Sequence, residues 1–424
     1  MIVVNCYYMG IMKSTNSISL IAALVMLLST CLFLSAQSAA YSLEEILDMA
    51  LKNNPLLAAR TSQAEAEYSA YKASSIWSNP RIDLGVGQAK PYDRTFVRNT
   101  REISLHQDVE NPLKKHFRTL SRKNSWEASK LQLQAQRLDV LFQVKYQAYK
   151  ILLLSKLQSL STDNFKSIEE IHRLIKTRAE LGEVKELEAI KLYVETLKAR
   201  NALNRIKTEE RIARDTLNAY LGNVLPRDYT ISGTLDFSPL SLDEKTLTER
   251  ALQNHPSLLG KLKLLESADS LIQFFKWQRL PDFTLTGFTK RELDGTNNGI
   301  GLSLSLPLWD WKTRDVAEAE ALYHMEKEEL RALKLEIKAG IRAEVGHLKL
   351  SQQTIRLFLD GLLKQAEESL KIADISYREG EISLMEYLDS RRTYTDIKKN
   401  YQEALFQFHL EKASLSKALG EEIQ

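Results

Sequence analysis

Apolar residues recur along most of this chain at helical spacing. Leu330, Leu333, Ile337, Ile341, Val345 and Leu348 step by three or four positions, with Glu, Lys and Arg between them. That period belongs to an amphipathic helix with one packed face. The pattern runs unbroken from about residue 312 to 378, and at 1.5 Å per residue it predicts a rod about 100 Å long. No compact domain accommodates that length. Helices predicted over about 43 to 78 and 185 to 221 are each roughly half as long, so two stacked end to end can pair along one long helix.

A second pattern has period two. Leu302, Leu304, Leu306 and Leu308 alternate with Ser303 and Ser305; Ile82, Leu84 and Val86 alternate with Arg81, Asp83 and Gly85; Ile103, Leu105 and Val109 alternate with Ser104, His106 and Asp108. Leu285 belongs to the same apolar set. Each segment reads as a strand with one apolar and one polar face. An ordinary sheet with one buried face fits this alternation. So does a membrane strand, since about ten residues cross a bilayer when tilted. The aromatic residues Trp77, Phe96, Phe288, Trp309 and Trp311 are placed at strand ends, as in an interfacial girdle. Four strands cannot close a membrane barrel, whose smallest examples have about eight, so strands that span a membrane here require several chains.

The chain repeats itself. Ala50-Leu51-Lys52-Asn53-Asn54-Pro55 recurs as Ala251-Leu252-Gln253-Asn254-His255-Pro256, Ser104-Leu105 recurs as Ser303-Leu304, and Gly182-Glu183-Val184 as Gly380-Glu381-Ile382. That last register holds to Leu221-Gly222 against Leu419-Gly420. Two copies of one unit, residues 41–222 and 243–424, are joined by a linker over 223–242, where Pro226, Gly233 and Pro239 interrupt helical patterning. Each copy reads as helix, two strands around a polar loop, very long helix, glycine turn and final helix. The fold class is therefore mainly α with a small β part.

Residues 1–40 read as a secretory signal: Lys13 supplies a positive start, Ile18 to Leu34 an apolar core, and Ser38-Ala39-Ala40 small residues before Tyr41. An uncleaved anchor and a lipid-modified Cys31 are alternative readings, and Met12 an alternative start. Cys6 and Cys31 are the two cysteines, so a chain starting at Tyr41 has no disulfide, zinc thiolate or cysteine nucleophile. The 58 basic and 55 acidic residues are mixed along the chain without a basic stripe, which gives no reason to expect nucleic acid. No motif calls for a cofactor. The GxxxxGK[ST], HExxH and GxSxG patterns are all absent, and Gly85-x-Gly87 and Gly299-x-Gly301 lie inside strands, where glycine relieves crowding.

The ordered set of Leu43-Glu44-Glu45 with Asn54-Pro55, Leu302-Ser303-Leu304-Ser305-Leu306-Pro307-Leu308 with Asp310, and Tyr377-Arg378-Glu379-Gly380-Glu381-Ile382-Ser383 followed by Tyr387-Leu388-Asp389 resembles the TolC-type outer-membrane efflux protein family. The resemblance spans Tyr41 to Gly420. It implies a homotrimer whose twelve strands form one outer-membrane barrel on a long periplasmic α-helical barrel. It also implies an exit duct that receives cargo from an inner-membrane efflux pump through a periplasmic adaptor. Carried over by position, Gly182, Glu183, Gly380 and Glu381 fall at the periplasmic tips where adaptors dock, and Glu386 and Asp389 at the periplasmic gate. The first copy has Glu188 and Lys191 at the gate positions, so any ring is unequal between copies. Ile82, Leu84, Leu285, Leu302 and Leu304 become the lipid face of the membrane strands. The passage Gln107 to Lys115 with Arg118 resembles the heavy-metal-cation branch, except that Leu113 stands where that branch has glycine. Metal cations, drugs and other compounds all stay open as cargo.

Two rival readings remain at this level. Glu169-x-x-His172 and Glu344-x-x-His347 have the i, i+3 spacing of a di-iron helical bundle. An inner-membrane-anchored periplasmic coiled coil would use residues 18–40 as its anchor, but leaves the strands unexplained.

Overall fold

The computed structural model describes residues 39–90, 92 and 96–422. The elements run β1 (Ala39–Tyr41), α1 (Leu43–Asn53), α2 (Pro55–Ser74), β2 (Arg81–Ala89), β3 (Arg98–Val109), α3 (Pro112–Glu180), α4 (Glu186–Tyr220) and β4 (Tyr229–Ile231). The second copy adds α5 (Glu244–Asn254), α6 (Pro256–Trp277), β5 (Phe283–Arg291), β6 (Thr296–Leu304), α7 (Thr313–Leu357), α8 (Leu363–Glu379) and α9 (Leu384–Leu419). Of the proposed leader only Ala39 and Ala40 are described, in β1, where they pair with Tyr229 and Thr230.

The helix starts follow from local chemistry. Pro55, Pro112 and Pro256 stand at the first turn of α2, α3 and α6, where a missing N–H costs nothing, and the side chains of Asn54, Asn111 and His255 accept the next free amides. Ser42 with Glu45 and Ser383 with Glu386 form reciprocal capping boxes on α1 and α9. The helix expected over 43 to 78 is thus two helices broken at Asn54.

α3 is continuous over 69 residues, about 100 Å. Its counterpart is not. The rod expected from 312 to 378 is interrupted by a π-turn, Phe358–Leu362, in which Gly361 takes φ +155°, a conformation open only to glycine. Phe358 anchors the turn against Tyr401 on α9.

Laterally, α3 packs along α2, α4, α6 and α9, while α7 packs along α6 and α9. α2 and α4 lean chiefly on α3, and α8 chiefly on α9, so α2/α4 and α7/α8 form opposite edges of the chain. The segment between the copies is packed. Leu235, Phe237, Leu240 and Leu242 join the core of the second copy, Gln352 bonds both backbone groups of Leu240, and His409 Nε2 lies 2.9 Å from the Asp236 carbonyl.

The duplicated Leu-Gly and Asn/His-Pro pairs meet each other. Gly222 (φ +75°) backs onto Asn53, and Gly420 (φ +78°) onto His255 and Pro256, where a Cβ would lie 2.7 Å from Pro256 Cδ. Asn54 also donates to the Tyr220 carbonyl at 2.8 Å. Each copy thereby locks its last helix against the break in its first. Gly420→Ala meets both left-handed strain and overlap, and should destabilise the chain by about 2 to 5 kcal/mol. Gly340→Ala, in a helix with open space around it, should leave stability unchanged or raise it. Thermal unfolding followed by circular dichroism compares the two; equal melting temperatures would refute the lock.

Candidate functional site

The four long strands form one antiparallel sheet in the order β2-β3-β5-β6. Register sorts their side chains. Ile82 faces Leu105, Leu84 faces Ile103, Leu285 faces Leu302 and Phe283 faces Leu304, so the five residues expected on the lipid face share one side. The apolar residues Ile82, Leu84, Val86, Ile103, Leu105, Leu285, Ile300, Leu302 and Leu304 are 49% to 93% exposed. An ordinary sheet buries that face; among the described residues nothing covers it. The opposite side carries Arg81, Asp83, Glu102, Ser104, His106, Thr286, Lys290 and Ser303.

Two strand-level expectations are corrected. β6 ends at Leu304, because Pro307 cannot donate to a ladder, so Leu306 and Leu308 lie beyond the strand and Leu304 at its end. Phe288 is not a strand-end girdle residue: it sits within β5 on the polar face, its ring over Gly299, where a Cβ would meet Phe288 Cζ at 2.6 Å. Trp77, Phe96, Trp309 and Trp311 are exposed outside the strands.

At the far end, two hairpins turn at Gly182 and Gly380. Both are left-handed (φ +77° and +81°), and a Cβ at either would have open space out to 4 Å, so backbone conformation, not room, selects glycine. Glu183 N donates to the Arg178 carbonyl at 2.9 Å and Glu381 N to the Ser376 carbonyl at 2.8 Å, closing each helix end. The Glu183 carboxylate lies 3.8 Å from Arg178, and Glu381 accepts from Ser376 Oγ at 3.0 Å. A small core of Ile175, Leu192, Ala373, Leu384, Tyr387 and Leu388 holds the two hairpins together, with Tyr377 stacked on Tyr387 at 5.0 Å.

Glu386 and Asp389 are exposed on α9 just past this turn. Glu386 has a local task too: it accepts from Ser383 N at 2.8 Å, and the Ser383 backbone and side-chain hydrogen bonds hold its carboxyl below the usual carboxylate range. It remains ionised at neutral pH, so the capping role leaves its charge on the surface.

The outer membrane efflux protein family matches residues 46–223 and 247–421, covering both copies. The chain belongs to that family. It is accordingly an outer-membrane efflux channel extending into the periplasm, and not an enzyme. The cobalt-zinc-cadmium resistance protein CzcC of Cupriavidus metallidurans is 21% identical over 381 residues, covering 89% of this chain and 90% of that protein. The outer membrane protein TolC of Vibrio cholerae is 21% identical over 413 residues, covering 91% and 92%. Among solved structures, the CmeC outer membrane channel of Campylobacter jejuni superposes with a TM-score of 0.78 at 18% identity, covering 89% of this chain and 85% of that one.

Membership overturns both rivals. His172 packs on the Tyr193 ring and Glu169 pairs with Arg173, and among the described residues no group of three or more metal-type ligands occurs. Among those residues, too, no helix is long and apolar enough to cross a membrane.

Two clusters are not legible in the sequence. Where β3 enters α3, Glu110 takes both Arg118 NH groups at 2.7 Å, Lys114 Nζ reaches Asp282 at 2.5 Å, and Asn111 N donates to Asp282 Oδ1 at 3.0 Å. These residues, within or facing the passage that resembles the metal branch, clamp the strands to the helices and the first copy to the second. Nearer the tips, Arg391 Nε donates to Asn164 Oδ1 at 3.1 Å, and Arg392 pairs with Glu195 at 2.7 Å, tying α9 to α3 and α4. Glu195 is partly buried, which raises its pKa, but hydrogen bonds from Lys198 and Arg392 outweigh burial and keep it below the usual carboxylate range.

Proposed function

We propose that three copies of this chain close a twelve-stranded barrel and a helical tunnel below it, forming the exit duct of a pump and a periplasmic adaptor. One observation carries the reading: among the described residues, β2 and β6 are unpaired edges of a sheet whose apolar face is bare. In lipid such edges must be paired, and four antiparallel strands per chain let β6 of one copy meet β2 of the next with alternation preserved. The helical edges agree. α4 presents Leu187, Ile190, Val194 and Leu197, and α7 presents Leu335, Leu350 and Leu357, all exposed on the outermost helices. Such unlike edges suit a closed ring of identical chains. Light scattering on detergent-extracted protein should give a trimer; a stable, folded monomer would refute the assembly.

The hairpin turns at Gly182 and Gly380 are the ends that an adaptor meets, with Glu183 and Glu381 beside them, and Glu386 and Asp389 ring the entrance. Three copies place six carboxylates there, which attract cations and repel anions. Glu386→Ala with Asp389→Ala should lower cation selectivity in planar-bilayer recordings. Because Glu386 also caps α9, Glu386→Gln with Asp389→Asn serves as the companion pair that keeps most of the cap. Unchanged selectivity in both pairs, with the trimer intact, would remove the gate assignment.

A further inference from the structure

On the polar face of the sheet, His106 is held on three sides. Its Nδ1 lies 2.9 Å from Thr286 Oγ1 on β5, and its Nε2 lies 3.1 Å from Ser104 Oγ and 3.1 Å from Asp83 Oδ2 on β2. Ser104 is buried, the His106 side chain is 21% exposed and that of Asp83 50% exposed, so the pair opens towards the space above the sheet. Arg81 Nε stands 3.3 Å from the same Asp83 oxygen. The remaining charged side chains on this face of the strands are Arg98, Glu102, Asp108 and Lys290.

We propose that Asp83 and His106 form a transit site for a borderline divalent transition cation of the zinc, cobalt or nickel kind. The proposal rests on the reading of this face as the channel lumen. An ion about 2.0 to 2.2 Å from a nitrogen and an oxygen ligand sets those atoms about 3.0 Å apart in octahedral and about 3.4 Å apart in tetrahedral geometry. The observed 3.1 Å falls between the two, so an ion can bridge Nε2 and Oδ2 with little side-chain movement. Thr286 supplies the supporting contact: by bonding Nδ1 it fixes the ring plane, and a metal at Nε2 displaces only the contact with the Ser104 hydroxyl. Its hydroxyl donates or accepts, and so tolerates either tautomer.

An imidazole nitrogen selects transition cations over magnesium or calcium. Two protein ligands, completed by water, hold such an ion weakly, and the Arg81 guanidinium weakens the hold further. Weak holding suits a duct, where an ion must enter readily and also leave. In the trimer the site occurs three times at one height of the barrel.

The test is zinc titration of the purified full chain in detergent by calorimetry, beside planar-bilayer recording with zinc on the barrel side. Wild-type protein should bind zinc, and His106→Asn should weaken that binding about tenfold or more, with a smaller loss in Asp83→Asn. Magnesium should give no binding heat. Zinc should produce brief closures that His106→Asn abolishes and that Glu386→Ala with Asp389→Ala leaves in place. Recovery of His106→Asn as the same oligomer as wild type, by light scattering in detergent, shows that the barrel is intact. Zinc affinity equal in wild type and His106→Asn overturns the site. Zinc binding that depends on His106 in a protein passing no current would instead overturn the lumen reading and keep the metal site.

Discussion

An arginine at position 103 should keep this protein out of the outer membrane, while an arginine at its neighbour 102 should be tolerated. Ile103 lies mid-strand in β3, opposite Leu84 on the apolar face, and is 52% exposed; Glu102 points to the other side, opposite Gly85. Near the bilayer midplane, Arg on the lipid side costs about 2 to 4 kcal/mol per chain. In the proposed trimer three chains would share one barrel, so the assembled cost would triple. Leu304, which the alternation alone places mid-strand, is a poorer probe, because it sits at the end of β6, where depth is less and the penalty falls. Fractionation of Ile103→Arg and Glu102→Arg measures the difference. Equal recovery of both in the outer membrane would invert or abolish the assignment of faces.

Loosening the tips should open the entrance. Arg391 holds Asn164, besides the Tyr387 hydroxyl on its own helix, and Arg392 holds Glu195; the Asn164 and Glu195 contacts join the second hairpin to the first. Replacing both by Ala removes one hydrogen bond between the hairpins from a charged donor and one ion pair whose Arg392 end is half exposed, about 2 to 4 kcal/mol after allowance for solvent screening. At 1.4 kcal/mol per tenfold, the separated state gains about one and a half to three orders of magnitude in population. Larger or longer-lived currents in planar bilayers are expected. Acid should act in the same direction. The Glu195 carboxyl is held below its ordinary value of 4.5, so its contribution is present above that pH and is lost as pH falls through the depressed value. A correctly assembled double variant with wild-type currents would rule the tie out.

What is legible in the sequence is what is written locally. The 3.6-residue period of Leu330 to Leu348, the alternation around Leu84 and the return of Asn54-Pro55 as His255-Pro256 each depend on near neighbours. The π-turn at Gly361 is hidden because a single glycine in a helical pattern is usually tolerated; its φ of +155° appears only in three dimensions. Phe288 is misplaced by alternation because its partner, Gly299, lies across a strand pair. The Lys114–Asp282 and Arg391–Asn164 contacts join residues 168 and 227 positions apart, and no pattern within either segment announces them. Glu386 is visible as an acidic residue past the turn, while its cap on Ser383 hides in an ordinary Ser-x-x-Glu, a spacing that says nothing of a gate.

The polar face of the sheet holds Gly85 and Gly87 on β2 and Gly299 and Gly301 on β6, the two strands that would become neighbours in the proposed ring. In the proposed ring each junction would offer passing solutes the bare peptide groups of Gly85, Gly87 and Gly301, with the Phe288 ring covering Gly299. Such a wall carries little chemical vocabulary: it can neither grip nor reject a solute by shape, and it gives a molecule in transit few reasons to linger. Discrimination among cargoes has then to be made before they arrive, or at the few side chains that still project, His106 and Asp83 among them.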